Sequence, residues 1–255
     1  MLRKMIVVAF VLFLASINNC LAEENIIAAG VFLGIIEEDG SGAYQQILEE
    51  AAQRANIEYT EHVYPLKRAV EMFKNKKAMA IYGMTHAIIE EMGSTKIITS
   101  YPLGAYKAYI FTPRKHPKIS SYSQLKNMKI GAINGYQSYF ESLRQHNTSI
   151  NYFTHENMQL ERLRAGRIDA IIGFLPDWLP YLANLNYNPN FPIHVGYDYM
   201  TVWNTQAGKD FVESISPALM SMKQDGTLQK ILGERYIEFN YQPTQEYEWR
   251  PPSNH

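Results

Sequence analysis

Apolar and polar positions along this chain switch repeatedly between the two-residue alternation of strands and the 3.6-residue spacing of helices. Residues 26–36 predict a first strand, 37–42 a polar loop, and 43–56 a helix with Tyr44, Ile47, Leu48 and Ala51 on one side. Residues 57–64 alternate as a strand. Pro65 then suits the first turn of the helix that carries Arg68, because a proline there gives up no needed hydrogen bond. A strand over 78–84, a helix over 85–92 and extended segments over 97–101 and 106–112 follow. Beyond a basic, turn-rich passage bounded by Pro113 and Pro117, the pattern predicts strands over 129–133 and 150–153 around a helix over 139–145. Residues 174–185 read as loop plus helix and 194–202 as one extended run. Helices over 208–223 and 227–236 close the pattern. Residues 241–255, with Pro243, Pro251 and Pro252 and little periodicity, read as a loosely attached tail.

One unit in this pattern occurs twice. Val70-Glu71-Met72-Phe73 leads through Lys74-Asn75-Lys76-Lys77 into Ala78-Met79-Ala80-Ile81-Tyr82-Gly83. Leu160-Glu161-Arg162-Leu163 leads through Arg164-Ala165-Gly166-Arg167 into Ile168-Asp169-Ala170-Ile171-Ile172-Gly173. Each copy is the end of an amphipathic helix, a basic turn, and a short apolar run with the length of a buried parallel strand. Two readings fit: two similar α/β lobes with a cleft between them, or two units of a single sheet.

The first 22 residues read as a cleaved export leader. Arg3 and Lys4 precede an apolar core over 5–16, and Cys20-Leu21-Ala22 supplies small residues before a cut at Glu23. Cys20 is the only cysteine, and Asn19 before it is a poor fit for lipid attachment, so the mature chain has no thiol chemistry. Removing Arg3 and Lys4 from 24 basic residues against 25 acidic ones leaves a net charge of −3, which argues against nucleic acid as a partner. The 18 tyrosines outnumber the 11 phenylalanines and 3 tryptophans. Buried tyrosine needs a partner for its hydroxyl, so this excess points to a half-wet concave surface.

The order of several motifs resembles the extracellular solute-binding protein family 3, the two-lobed periplasmic receptors typified by those for polar amino acids. Gly42 and Tyr44 open the first helix as in that family. Ser100-Tyr101-Pro102 is similar to its serine-x-proline before the crossover, and Leu125-Lys126-Asn127-Met128-Lys129-Ile130-Gly131 to its route into the second lobe. Gly166-Arg167-Ile168-Asp169-Ala170 and Asp225-Gly226-Thr227-Leu228 also match. The resemblance covers nearly all of 24–240. It implies an α/β, type II two-lobe periplasmic binding protein fold, each lobe a sheet flanked by helices, joined by two hinge strands. Lobe 1 is expected over 23–111 plus 203–240 and lobe 2 over 112–202, with hinges near Tyr109-Ile110-Phe111 and Met200-Thr201-Val202. It further implies a periplasmic monomer that needs no cofactor. Its expected partners are a small-molecule ligand and either an inner-membrane ABC permease or a membrane sensor.

Two departures bear on the ligand. The family's amino-acid receptors clamp the α-carboxylate with an arginine about three positions after a threonine; here that threonine is Thr85 and the place holds Ile88. They take the α-ammonium with an acid shortly after the second repeat, and that place holds Phe174. Losing both argues against an ordinary α-amino acid, since a buried unpaired charge costs several kcal/mol.

Arg68 is a candidate for the cleft or, equally, a solvated helix residue. Tyr44, Tyr101, Tyr136, Phe174 and Trp178 fall at strand ends or helix starts, where aromatics line a pocket or pack a core. Gln137 and Ser138 open a helix after a glycine turn, favouring an anionic group there, although Ser138 also reads as a helix cap. Glu37 and Asp177 are the acidic candidates for a cationic group; Asp177 also reads as a cap. A micromolar receptor needs roughly 8 kcal/mol, and an exposed ion pair supplies about 1 or less, so enclosure among aromatics must supply the rest. The rival is a periplasmic enzyme on the same scaffold, similar to dehydratases of cyclic carboxylic acids. Glu37, His86 or Asp177 would then be its acid or base and Arg68 its carboxylate anchor. No elbow, phosphate-loop or zinc-protease motif is present.

Overall fold

The computed structural model describes residues 25–32, 34–134 and 136–252. The expected leader over 1–22 lies outside them. In chain order the elements begin with β1 (Ile26–Gly30), α1 (Ala43–Ala55), β2 (Thr60–Tyr64), α2 (Leu66–Lys74), β3 (Ala80–Tyr82), α3 (Thr85–Met92) and β4 (Ile97–Thr99). Then come β5 (Gly104–Pro113), β6 (Lys129–Ile133), α4 (Gln137–Phe140), β7 (Ser149–Phe153), α5 (Glu156–Arg164) and β8 (Ala170–Phe174). The chain finishes with α6 (Leu175–Trp178), β9 (Leu185–Asn186), β10 (His194–Asp198), β11 (Met200–Trp203), α7 (Gln206–Gln224) and α8 (Thr227–Leu232).

These strands make two sheets, ordered β2-β1-β3-β11-β4 and β10-β5-β8-β6-β7, with β9 on β5. Each has a parallel half and an antiparallel half: β1 pairs β2 and β3 in parallel, and β6 pairs β7 and β8 in parallel. The middle strand of each sheet, β3 or β8, is the strand of one copy of the repeat. Of the two readings open in the sequence, the fold is therefore the two-lobed one, with one copy per lobe.

The copies agree down to single hydrogen bonds. Lys76 and Gly166, which share a register, both take left-handed backbone at φ 56° and 65°. Their amides donate to Phe73 O and Leu163 O, and the next amides, Lys77 and Arg167, reach Met72 O and Arg162 O at 2.9 Å. This is the Schellman closure of a helix, which satisfies its last carbonyls. Three residues later the Met79 amide donates to Ile26 O and the Asp169 amide to Lys129 O, starting the parallel pairing in both lobes.

Both faces of each sheet are covered. In lobe 1, α1 and α7 pack Ile47, Leu48, Phe211 and Ile215 over one face, and α2 packs Ala69 and Phe73 over the other, against Ala28 and Ile81. Thr205 caps α7 by accepting from the Gly208 amide at 3.2 Å. In lobe 2, Ile130, Phe140 and Ile172 fill one face, and Phe111, Leu160 and Trp178 the other.

Three expectations are corrected. The chain changes sheets between β4 and β5 and between β10 and β11, so the expected hinge residues Tyr109-Ile110-Phe111 lie inside lobe 2, paired with β8. Residues 194–202 are not one strand: Asp198 ends in the second sheet and Met200 starts in the first. The alternation of side chains continues across such a switch, and only hydrogen-bond partners reveal it. The segment after 240 is also firmly packed. Trp249 keeps 4% exposure, the Thr99 amide donates to Tyr247 O at 2.8 Å, and the Tyr241 hydroxyl donates to Trp249 O at 2.7 Å. An irregular strap buries its side chains at uneven intervals, so it shows no period.

Candidate functional site

One cleft is lined from both sheets, and it lies at the carboxyl ends of β1, β3 and β8, where open α/β sheets hold ligands. Lobe 1 supplies Gly30 and Phe32 after β1, Tyr44 from the first turn of α1, and Tyr82, Gly83 and Met84 at the end of β3. Lobe 2 supplies Tyr106 on β5, Tyr136 and Tyr139 around the start of α4, Phe174 at the end of β8, Asp177 on α6 and Asp198 at the end of β10. Arg235, just beyond α8, adds the one cation of the lining described.

Phe174 is the centre of the lobe 2 wall. Tyr106, Tyr136 and Tyr139 meet it edge-on with ring centroids at 4.9, 4.9 and 5.3 Å. Edge-to-face contacts suit the ring quadrupole and hold the wall rigid. Burial pushes the Tyr106, Tyr136 and Tyr139 phenols above their ordinary value, so these hydroxyls stay protonated. Tyr106 also stacks flat on His194, at 5.7 Å and 8°.

The lobes touch at three places near this wall. Phe32 meets Tyr136 at 6.3 Å, and His86 on α3 meets Tyr139 at 5.1 Å and His194 at 6.3 Å. The Tyr44 hydroxyl donates to Asp198 Oδ2 at 2.6 Å. Asp198 sits opposite Gly104 in the β10–β5 pairing, where the chain crosses between sheets. The position of a Cβ on Gly104 lies 3.4 Å from the Tyr44 hydroxyl and from Leu232, so this glycine borders the phenol at the crossing.

Both cleft carboxyls are held above the usual carboxylate range. Burial raises Asp198 to about 6, against the lowering effect of the Tyr44 hydrogen bond. Burial, then Glu156 and Asp198, raise Asp177 to about 7, while Arg235 pulls it down. In the unfolded chain an aspartate titrates near about 4. The folded state thus binds the extra protons, and the two groups cost stability as pH rises from there towards 7.

The structure brings four of the expected site residues together: Tyr44, Tyr136, Phe174 and Asp177. It puts the others elsewhere. Arg68 is on the surface with 58% exposure, its guanidinium 3.7 Å from Glu71. Glu37 accepts from the Gly34 amide and stabilises its own loop. Thr85 is buried against the Thr201 hydroxyl at 2.6 Å. Tyr101 lies under the C-terminal strap, 5.1 Å from the Tyr241 ring, and Trp178 is core, 5.7 Å from Phe111. Gln137 is exposed with its amide 3.4 Å from Asn134 Oδ1, and the Ser138 side chain lies outside the described residues. Ile88, in the place of the family's arginine, is core at 1% exposure.

Sequence reasoning missed Tyr82, Tyr106, Tyr139, Asp198 and Arg235. Asp198 had one available signal, the single acid in the extended run over 194–202. Among the described residues no cluster of three or more metal-ligating side chains occurs, and no helix is long and apolar enough to cross a membrane.

No family model and no curated protein matches the sequence. Solved structures do match its fold. The ligand-binding core of GluR0 in complex with L-glutamate is similar with a TM-score of 0.67 at 11% identity, covering 85% of this chain and 99% of that one. The second substrate-binding domain of GlnP from Lactococcus lactis, in an open conformation, gives 0.59 at 18% identity, covering 86% and 98%. An ancestral arginine-binding protein bound to arginine gives 0.60 at 17%, covering 84% and 98%. The chain has the fold of the two-lobed, type II ligand-binding domains.

Proposed function

We propose that this protein captures a small organic solute between its lobes and closes over it, as an exported receptor that delivers the solute to a membrane ABC permease. The observation that carries this reading is a cleft with one wall from each sheet, lined by aromatic rings and crossed by chain at two adjacent hinges. Such a site opens and shuts by rotation about a few residues, here 100–103 and Tyr199, without disturbing either core. The solute is not an ordinary α-amino acid: Ile88 is sealed in the lobe 1 core, and the cleft's arginine already faces an acid, Asp177. The dehydratase reading loses its anchor, since Arg68 is exposed and beside Glu71.

Native mass spectrometry of the protein purified from its expected compartment should show a bound small molecule that unfolding and refolding removes. Adding it back should raise the melting temperature; at 100 times its Kd the gain is about 2.7 kcal/mol. Phe174→Ala should lose most of that gain. A molecule that stabilises the variant equally lies outside the cleft, and turnover of the molecule would overturn the receptor reading.

A further inference from the structure

We propose that the captured solute is an organic cation, a primary ammonium on a ring or short apolar body, with the ammonium between Asp177 and Asp198 and the body against the Phe174 wall. This rests on the cleft being the binding site.

The chemistry of the lining selects the charge. Two carboxyls and one guanidinium face the cleft, among aromatic rings, aliphatic side chains and glycines. Where the two acids are ionised, an anionic solute would be brought beside like charge in a partly desolvated space. A neutral one would leave Asp198 either protonated or desolvated as an anion with no compensating charge, because Arg235 faces Asp177. A cation removes that penalty.

The geometry selects the kind of cation. One oxygen of Asp198, Oδ2, is taken by the Tyr44 hydroxyl. The other, Oδ1, lies towards Gly83, where even a methyl group would stand only 3.3 Å from it. An ammonium has three N–H donors and little bulk, so it serves Asp198, Asp177 and a tyrosine oxygen together. A quaternary ammonium has no donor for either acid.

In the empty cleft Asp198 holds a proton below about pH 6 and Asp177 below about pH 7, an ammonium must displace those protons, and binding should tighten as pH rises. Glu156 and Arg235 face Asp177; Tyr44, Tyr106 and Tyr139 face Asp198. Of the nearby groups, His194 at the interlobe contact is held below its ordinary value by burial and by His86. Variants at the acids separate these contributions.

The test uses four probes of one shape on the full exported chain: 2-phenylethylamine, 2-phenylethanol, phenylacetate and phenylalanine. The amine should raise the melting temperature and the other three should not. Its Kd should fall on the order of tenfold or more between pH 5.5 and 7.5, with proton release measured calorimetrically in two buffers. Asp177→Asn and Asp198→Asn keep the side-chain shape, and each should weaken the amine and flatten the pH profile. Stabilisation by phenylacetate or phenylalanine without the amine overturns the cation assignment and leaves the receptor reading intact. Amine binding that ignores both pH and the asparagine variants overturns it too. If no probe stabilises the protein the proposal also fails, and the native mass spectrum decides separately whether the cleft holds a solute. Should an asparagine variant not fold, the pH series on the unaltered protein carries the decision.

Discussion

Gly83 and Gly173 end the two copies of the same helix-to-strand unit, in the same register, and each needs glycine for a different reason. Gly83 has φ 55° and turns the chain sharply out of β3, with Met84 also left-handed at φ 53°. Gly173 is extended within β8, and glycine is needed there because Trp178 packs on its backbone: an added Cβ would lie 2.0 Å from the indole nitrogen. Up to this point the copies match amide by amide. Beyond it, lobe 1 makes a tight turn beside Asp198, while lobe 2 anchors a helix that carries Asp177 above a tryptophan. The repeat is mostly scaffold: of its residues only Tyr82 and Gly83 are among the cleft lining described, and the rest of that lining comes from outside the two copies.

Substitutions can break that contrast. The largest effect should come from Gly173→Ala, since Trp178 keeps 1% exposure and has nowhere to move. Overpacking of this kind costs typically 1–3 kcal/mol, read as a lowered denaturation midpoint. An unchanged midpoint would mean that Trp178 does not sit on this strand. Gly83→Ala should cost less, about 1–2 kcal/mol for left-handed backbone. It should also perturb the cleft, because its methyl would stand 3.3 Å from Asp198. Loss of ligand response larger than the loss of stability, measured by thermal shift, would mark that position as part of the site, and an effect on stability alone would not. The smallest effects belong to the matched turn. Gly166→Ala should cost about 1 kcal/mol at φ 65°. Lys76→Gly should stay within about 0.5 kcal/mol of neutral, because the relieved strain is offset by losing the lysine from the Trp203 face at 5.2 Å. Chemical denaturation of the pair would show whether the two turns are equivalent in energy as well as in geometry.

The repeat was legible in the sequence because a helix, its closure and the following strand are local, and their periods survive in any context. The helix over 85–92 and the strand over 129–133 have the bounds that periodicity predicts. The aromatic character of the cleft was legible too, from Tyr44, Tyr136 and Phe174. Arg68 was not, because a helix shows which face is polar and not which lobe that face meets. Tyr101 and Trp178 have the same local setting as the cleft aromatics, and only the strap and β8 turn them into core.

What the sequence determined by itself was an α/β chain with a doubled helix-to-strand unit and an excess of tyrosine, all properties of neighbouring residues. The tertiary structure alone decided that Asp198 faces Tyr44, 154 positions away, and that both acids share one partly dehydrated cleft. Charge and burial at a site depend on what surrounds it in space, and the chain brings those surroundings together only where it crosses between the lobes.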